Sequence, residues 1–394
     1  MSAMARANPG RNTDDLGIYV HWPFCDAICP YCDFNVRLNR NVDQAAWKAA
    51  FVKDIQTWEG LLPGRRVGSI SFGGGTPSLM PPDTISAILD AIANIWQIAP
   101  DVEVSLEANP TSVEISQFRE FARVGINRLS IGIQALDDQA LKQLGRRHSS
   151  AEALEALSVA NDVCDRVSFD LIYGRPGQRL SAWEDELCQA LAIGGDHCSL
   201  YQLTVEPGTP FAYQASRGRL SGLPDDSLSA EFYTVTNSIC SSRGLFRYEI
   251  SNHSRLEGQS RHNRVYWEAG DWVGFGPGAH GRITLDNRRL EVVSDKRPSA
   301  WLNQVDRPAL NEDAVDLQTA EEAAEEILFS GLRLSDGFVR SRLHRWGYDI
   351  PADRLGYLVD QSLLEEEGSH IRATSAGMLL IDAIVADLVP LNPL

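Results

Sequence analysis

The chain has 394 residues, of which 43% are apolar and 23% are charged, a composition typical of globular proteins. Its 36 basic and 53 acidic residues give a net charge of −17, which argues against nucleic acid or anionic lipid as partners. No uncharged apolar run reaches about 18 residues, so we expect no membrane span. Residues 1–15 lack the apolar stretch of a secretory signal, and we expect a flexible N-terminal tail and a cytoplasmic protein.

Short apolar runs alternate with helical patterns from residue 16 to residue 243, which is typical of an α/β domain. The predicted strands are Gly17–Val20, Val67–Phe72, Val102–Glu107, Arg128–Ile133, Arg166–Ile172 and Cys198–Leu203. The predicted helices cover residues 41–62, 83–98, 112–124, 137–144, 150–163, 181–193 and 225–243. Successive β/α units require parallel strands, either curled into part of a TIM-like barrel or lying open and doubly wound. In both arrangements, ligands bind at the carboxyl ends of the strands.

The rest of the chain divides into two parts. Residues 244–310 are rich in Gly, Asn, His, Tyr and Trp, and we expect an irregular connecting segment that bears part of a site. Residues 311–394 show helical patterns, two short strands at 365–374 and a last helix, which predicts a small winged-helix-like α+β domain. Because this part has 6 Arg and 16 acidic residues, we expect a lid or packing module and no DNA contact.

Three of the seven cysteines lie close together on a loop just after the first predicted strand. Cys25, Cys29 and Cys32 are separated by three and two residues, and thiolates so spaced can hold one face of a 4Fe–4S cluster. Because such a cluster normally takes four cysteines, one iron would stay open to an exogenous ligand. The alternatives are a zinc site, completed by His21 or a distant cysteine, and three unligated thiols. We expect the four other cysteines to lie in the core.

Glycine or polar residues stand at the ends of several predicted strands. The run Gly73–Pro77 follows the second strand, and its N–H groups can bind a ligand or simply form a tight turn. Glu107, Gln134 and Asp170 lie at or near the ends of the third, fourth and fifth strands. A polar cap explains each one alone, but their joint placement at one rim favours ligand contact.

The Cys-x3-Cys-x2-Cys spacing after a first strand resembles the radical SAM superfamily, whose fold is a partial (β/α)6 barrel. Nearly the whole chain is similar to its oxygen-independent coproporphyrinogen III oxidase (HemN-like) family. The matching segments are Tyr19–Phe24, Phe72–Pro77, Glu107–Pro110, Gly132–Gln134, Asp170–Gly174 and Gly276–Gly281. The resemblance implies a 4Fe–4S cluster on the three loop cysteines, S-adenosylmethionine (SAM) on the open iron, and an electron donor for the cluster.

The resemblance also assigns the SAM contacts residue by residue. Gly74, Gly75 and Thr76 would bind the amino group, and Tyr31 takes the position of the aromatic residue beside the adenine. The remaining assigned contacts are Tyr19, Glu107, Gln134, Arg146 and Asp170. Of these, Arg146 and Asp170 would bind the carboxylate, the ribose or a second SAM molecule.

Three features make the resemblance closest to the HemW branch, whose members are haem chaperones. The porphyrinogen-oxidising members have a fourth cysteine at the position of Phe34, and a longer N-terminal extension than the 24 residues before Cys25. The segment His262-Asn263-Arg-Val-Tyr266-Trp267 matches the HNxxYW motif of the branch.

The HNxxYW match assigns haem to the four motif residues. An imidazole can bind haem iron, and aromatic rings can pack on the macrocycle. Taken alone, the same residues are more typical of a half-buried packing cluster. Other possible iron ligands are His253, His280 and Cys198.

The resemblance leads to two hypotheses for the function. The first is a haem chaperone that binds haem, a 4Fe–4S cluster and SAM, and passes haem to an acceptor protein. The second is an enzyme in which SAM cleavage gives a 5′-deoxyadenosyl radical that attacks the propionates of coproporphyrinogen III. Phe34 and the short N-terminus argue against the second, so we expect no coproporphyrinogen III dehydrogenase activity.

Overall fold

The structure is a computed structural model that describes residues 15–38 and 41–394. The tail expected at residues 1–15 lies outside the described residues, except for Asp15. The Asp15 carboxylate accepts hydrogen bonds of 2.8 and 2.9 Å from the Arg66 guanidinium, which ties the start of the described chain to the main sheet.

The strands and helices of the described residues follow in chain order. The strands are β1 Leu16–Trp22, β2 Phe24–Cys25, β3 Arg37–Leu38, β4 Arg66–Gly74, β5 Gln97–Ala108, β6 Arg128–Gln134, β7 Arg166–Tyr173, β8 His197–Gln202, β9 Phe246–Arg247, β10 Asn252–Ser254, β11 Trp272–Phe275, β12 His280–Leu285, β13 Arg288–Val293, β14 Val315–Leu317, β15 Phe338–Val339, β16 Tyr348–Asp349, β17 Leu364–Glu367, β18 His370–Ala373 and β19 Asn392–Pro393. The α-helices are α1 Gln44–Gln56, α2 Pro82–Ile95, α3 Ser112–Ile115, α4 Phe118–Arg123, α5 Asp138–Gln143, α6 Ser150–Val163, α7 Leu180–Ile193, α8 Pro210–Ser216, α9 Asp226–Ser242, α10 Arg261–Trp267, α11 Pro298–Leu302, α12 Ala320–Gly331, α13 Ser341–His344, α14 Ala352–Asp360, α15 Ser375–Met378 and α16 Ile381–Leu388.

Twelve strands form one sheet in the order β14-β13-β12-β11-β1-β4-β5-β6-β7-β8-β10-β9. The central strands from β11 to β8 are parallel, and the outer strands are antiparallel to their neighbours. The edge strands β14 and β9 do not pair with each other, so the sheet is open. The predicted partial (β/α)6 barrel is confirmed. Most residues of β1, β4, β6, β7 and β8 are buried, as is usual for a parallel sheet covered on both faces.

Two predicted helices have different bounds in the structure. The helix predicted at 41–62 ends at Gln56, because the chain then turns through Gly60 and Leu62 with φ values of 79° and 53°. The helix predicted at 112–124 is divided into α3 and α4. Across the described parts of the chain, no helix is both long and apolar enough to cross a bilayer.

Residues 244–310 are not irregular, and the prediction of a connecting segment is wrong. They contain β9 to β13 and two helices, and β11 extends the parallel sheet beside β1. Gly17 lies opposite Trp272, and Val20 lies opposite Phe275. This pairing brings α10, which precedes β11, against β1 and β4. Strands of two to six residues with interspersed glycines carry no apolar pattern long enough to predict.

The C-terminal part forms a small α+β unit with its own apolar core, as predicted. Helices α12, α13 and α14 accompany the three-stranded sheet β15-β18-β17, whose β17–β18 hairpin is the predicted wing. Strand β14, expected in this unit, instead pairs with β13 of the main sheet. Ion pairs of 3.1 Å from Arg289 to Glu326 and 2.9 Å from Arg264 to Asp336 join the unit to the rest of the chain.

Candidate functional site

A cavity of about 430 Å³ lies where the central parallel strands end. The loop cysteines and most of the residues predicted to bind SAM line it together: Cys25, Cys29, Tyr31, Cys32, Gly74, Gly75, Thr76, Glu107, Gln134, Arg146 and Asp170. They meet because parallel strands end at one edge of the sheet. Sequence reasoning missed Asn109 and Tyr201 as lining residues, although both lie at or just after a strand end, where a polar side chain could have been noted.

The cysteine loop, residues 23–38, is held in shape by contacts within the protein. Strands β2 and β3 at its two ends pair with each other. The Cys32 N–H donates to the Cys29 carbonyl oxygen over 3.1 Å, and the Phe211 N–H donates to the Pro30 carbonyl oxygen over 2.9 Å. These contacts fix the path of the loop backbone that carries the three thiols.

The three thiols differ in burial, and burial controls their ionisation. Cys25 is buried, whereas Cys29 and Cys32 are half-buried. Burial raises the pKa of Cys25 to about 11 and also raises the pKa of Cys32. These thiols become thiolate ligands at neutral pH when a metal centre supplies the compensating positive charge.

The spacing of the thiols bears on the choice between a cluster and a single ion. Among the described residues, Cys198, Cys240 and His253 form a group whose possible ligand atoms all lie within 4.8 Å of one another. The three loop cysteines do not meet this distance limit. The loop thiols are therefore spread more widely, whereas thiolates on one tetrahedral zinc ion lie about 3.8 Å apart. The donor set fits a multi-iron cluster better than zinc.

The Gly73–Pro77 run packs so closely on the cysteine loop that a side chain does not fit. A Cβ on Gly75 would lie 2.7 Å from the Phe24 carbonyl oxygen and 3.0 Å from Cys25 Sγ. Gly74 has a φ of 106°, in the left-handed region that favours glycine. Glycine is therefore required here for the approach of two backbone segments, in addition to any ligand.

Backbone hydrogen bonds occupy the N–H groups of this run. The Gly75 N–H donates to the Trp22 carbonyl oxygen over 2.6 Å, and the Thr76 N–H donates to the Phe24 carbonyl oxygen over 2.9 Å. Of the two readings of this run, ligand binding by N–H groups or a tight turn, these backbone bonds favour the turn for Gly75 and Thr76, and the assignment of the run to the SAM amino group stays a prediction. The Thr76 hydroxyl accepts from the Asn109 amide over 3.2 Å and lies beside the Cys25 thiol.

Arg146 connects the cysteine loop to the strand ends. Its Nη1 lies 3.5 Å from Cys29 Sγ, and its Nη2 donates to the Gly132 carbonyl oxygen over 2.9 Å. The same nitrogen donates to the Asn109 side chain. These contacts help to hold the cysteine loop against the sheet.

Two carboxyl groups in the cavity have raised pKa values. Glu107 is open to the cavity but lies deep in the protein, and desolvation followed by the nearby Asp170 charge raises its pKa to about 7. Burial raises the pKa of Asp170 to about 6, against hydrogen bonds from Ser199 and Ser130. A cationic ligand, such as one carrying a sulfonium and an ammonium group, would favour ionisation of both.

Gln134 provides an acceptor without a partner. The residue has a φ of 63°, a backbone conformation that non-glycine residues adopt infrequently. Its buried Oε1 has no hydrogen-bond partner in the structure, and a Cβ on Gly132 would lie 2.9 Å from its Nε2. A buried acceptor at the wall of a cavity suits a ligand that brings a donor.

A second cavity of about 580 Å³ lies beside the cysteine loop. Aromatic side chains line it, namely Tyr19, Phe34, Tyr266 and Trp272. The structure therefore places Tyr19, predicted as a SAM contact, in the second cavity and not among the residues that line the first. Phe34 lines both cavities, so the two adjoin at the position where the resemblance expects a fourth cysteine in the porphyrinogen-oxidising members.

The HNxxYW segment forms most of α10, and His262 is on the buried side of this helix. His262 is 3% exposed, and desolvation lowers its pKa to about 4, so the imidazole is neutral. Both ring nitrogens have partners: Nδ1 lies 3.1 Å from Ser69 Oγ, and Nε2 lies 2.6 Å from the Tyr266 hydroxyl. Of the four motif residues only Tyr266 lines the second cavity, whereas Asn263 and Trp267 line neither cavity.

The other possible iron ligands are placed differently. His253 and Cys198 are buried in the core. His280 lines the second cavity, and its side chain is 48% exposed. Among these candidates, His280 is the imidazole that a ligand in the second cavity can reach.

Comparisons with known proteins identify relatives of this chain. The model of the Radical SAM superfamily matches residues 19–187. Radical S-adenosyl methionine domain-containing protein 1, mitochondrial, of Bos taurus is 36% identical over 97% of this chain and 89% of its own length. Heme chaperone HemW of Escherichia coli K12 is 31% identical over 94% of this chain and 97% of its own length.

The structural comparison concerns the fold. The structure of coproporphyrinogen III oxidase (HemN) from Escherichia coli, described as a radical SAM enzyme, matches with a TM-score of 0.78 at 21% identity. The match covers 97% of this chain and 92% of that chain. Because the relatives above are more than 30% identical along nearly the whole chain, they establish the family as well as the fold. This chain belongs to the radical SAM superfamily, in the family that includes HemW and radical S-adenosyl methionine domain-containing protein 1.

Proposed function

We propose that this protein is a haem chaperone that holds a 4Fe–4S cluster, SAM and haem, and passes haem to an acceptor protein. The observation that carries the proposal is the second, aromatic cavity beside the cysteine loop. It offers flat apolar surfaces and an accessible imidazole, the two features that haem binding needs. The similarity to proteins named HemW along nearly the whole chain supports the same conclusion.

The first cavity has the residues to hold the two cofactors that the radical SAM family implies. Cys25, Cys29 and Cys32 would hold the cluster, which supplies single electrons when an electron-donor protein reduces it. The Glu107 and Asp170 carboxyl groups favour a cationic ligand, as SAM is. Gln134, Thr76 and Arg146 add an acceptor, a hydroxyl and a guanidinium on the same wall, and Tyr31 adds an aromatic ring.

The HNxxYW residues would act on haem through Tyr266. His262 orients the Tyr266 hydroxyl through the bond to Nε2, and the Tyr266 ring packs edge-on against Trp272 with centroids 4.8 Å apart. Asn263 and Trp267 belong to the helix that supports this arrangement. We therefore assign positioning roles to His262, Asn263 and Trp267.

The alternative function is decarboxylation of coproporphyrinogen III, and the likeness to HemN in fold is compatible with it. Phe34 argues against it, because that position lies between the two cavities and carries an unreactive ring 65% exposed.

Two assays on the anaerobically reconstituted protein separate the functions. In one, the protein is loaded with ferric haem and passed through gel filtration. In the other, it receives coproporphyrinogen III, SAM and a reductant. We expect haem to elute with the protein and coproporphyrinogen III to remain unchanged. Formation of protoporphyrinogen IX, with haem lost on the column, would refute the chaperone.

A further inference from the structure

Four of the residues that line the second cavity are aromatic. Tyr19, Phe34, Tyr266 and Trp272 contribute aromatic rings, and the volume of about 580 Å³ lies within the range of about 300–1000 Å³ usual for small-molecule sites. Aromatic rings offer large apolar contact areas to a flat macrocycle. The cavity also has an opening to solvent, and a ligand can enter and leave through this opening.

Two histidines line this cavity, and His280 is the accessible one, because His21 is 5% exposed and has partners on both ring nitrogens. The His280 side chain is 48% exposed, whereas His262 is 3% exposed and has partners on both ring nitrogens. His280 Nδ1 lies 3.5 Å from Glu291 Oε1. The Glu291 carboxylate therefore lies on the Nδ1 side of the ring, which leaves Nε2 as the nitrogen for a ligand in the cavity.

Cationic side chains complete the cavity. Arg37 and Lys296 line it, with Asp33 as an acidic lining residue. The two cations suit the two propionate groups of haem, because each can pair with one carboxylate at the rim.

We infer that haem binds in the second cavity with His280, rather than His262, as the imidazole ligand of its iron. The inference rests on the proposed haem-chaperone function and assigns its site. It gives the two histidines different tasks: His280 binds the iron, and His262 positions the Tyr266 ring that packs on the macrocycle. It also places the haem against Phe34, at the junction with the cavity of the loop cysteines.

The test compares the visible spectra and affinities of ferric haem complexes. Four proteins are titrated: the parent, His280→Gly, His262→Ala, and His370→Ala as a matched control with an exposed imidazole on the wing. We expect His280→Gly to bind haem about tenfold or more weakly and to lose the imidazole-ligated spectrum. Added free imidazole should restore that spectrum. His262→Ala should keep the spectrum of the parent at reduced affinity, and His370→Ala should match the parent.

The outcomes distinguish this inference from the proposed function. If the parent binds haem saturably but His280→Gly keeps its spectrum, the assignment of His280 is overturned and the chaperone proposal stands. Loss of the spectrum that imidazole does not restore also overturns the assignment, because exogenous imidazole should replace a true ligand. If the parent shows no saturable binding, the proposed function itself fails.

The cations are tested separately with porphyrins that lack free carboxylates. An Arg37→Gln/Lys296→Gln variant should bind ferric protoporphyrin IX more weakly than the parent. Its affinity for the dimethyl ester of the same porphyrin should equal that of the parent, because the ester has no charge to pair. Equal losses of affinity for protoporphyrin IX and for its dimethyl ester would refute the pairing of Arg37 and Lys296 with the propionates.

Discussion

Substitution of Gly75 by alanine tests how the glycine run and the cysteine loop depend on each other. The added Cβ would lie 2.7 Å from the Phe24 carbonyl oxygen, 2.9 Å from the Trp22 carbonyl oxygen and 3.0 Å from Cys25 Sγ. Two of these atoms belong to the backbone and cannot rotate away. The Gly75 N–H also donates to the Trp22 oxygen, so relief of the clash must lengthen a hydrogen bond of 2.6 Å.

The expected cost follows from this geometry. Overpacking of a tightly packed site costs about 1–3 kcal/mol. That range corresponds to an unfolding equilibrium about 5- to 150-fold less favourable to the native state. Because the strain falls on the segment that carries Cys25, we also expect lower iron and sulfide content after anaerobic reconstitution and weaker SAM binding.

The assay combines denaturant unfolding of the apoprotein, iron and sulfide analysis, and calorimetry with SAM. Gly356→Ala is the matched control, since a Cβ there meets nothing within 4 Å and Gly356 lies in the exposed face of α14. That change should stabilise the protein by up to about 1 kcal/mol through helix propensity. A Gly75→Ala variant with the stability, iron content and SAM affinity of the parent would refute the close approach.

Three further changes test other parts of the account. Cys29→Ala should leave the circular dichroism spectrum unchanged but abolish cluster assembly. Cys188→Ala is the control, because Cys188 is also half-buried, and it should have the iron content of the parent. An unchanged iron content in Cys29→Ala would show that the Cys29 thiol is not a ligand. Arg175→Met should lower the free energy of unfolding by about 3–5 kcal/mol, because it leaves the buried Glu186 carboxylate with neutral donors and without its cation. A second change, Glu186→Gln, should recover part of that loss, and an unchanged Arg175→Met variant would contradict the pairing. Glu107→Gln should have the stability of the parent below about pH 4.5, where Glu107 is protonated in both the folded and the unfolded parent. Between about pH 4.5 and pH 7 the parent should lose stability relative to the variant, because the unfolded parent releases the Glu107 proton more readily than the folded parent does. Stability profiles that run parallel across this pH range would contradict the raised pKa.

Local patterns predicted the architecture well where elements are long and apolar. Strands β6 and β7 begin at Arg128 and Arg166, as predicted from their apolar runs. The prediction failed for residues 244–310, because Trp272–Phe275 gains its place in the sheet by pairing with β1, more than 250 residues away. Such a pairing depends on the arrangement of the whole domain, and a four-residue strand is too short to show a hydrophobic pattern that predicts it.

The first cavity could be predicted because its residues follow strand ends and match family motifs. The second could not, since a motif names residues without showing which way their side chains face. Tyr19 lies on β1, which ends near both cavities, and only the structure shows that its ring lines the second cavity. His262 matches the motif as strongly as Tyr266 does, yet the fold buries its imidazole between Ser69 and Tyr266.

The central claim is that this chain holds haem in a specific site, and an equilibrium titration of the reconstituted protein with ferric haem tests it most directly. Visible absorbance should saturate at one haem per chain, because one aromatic cavity with an accessible imidazole adjoins the cysteine loop. Absorbance that rises in proportion to added haem without saturation would contradict the claim.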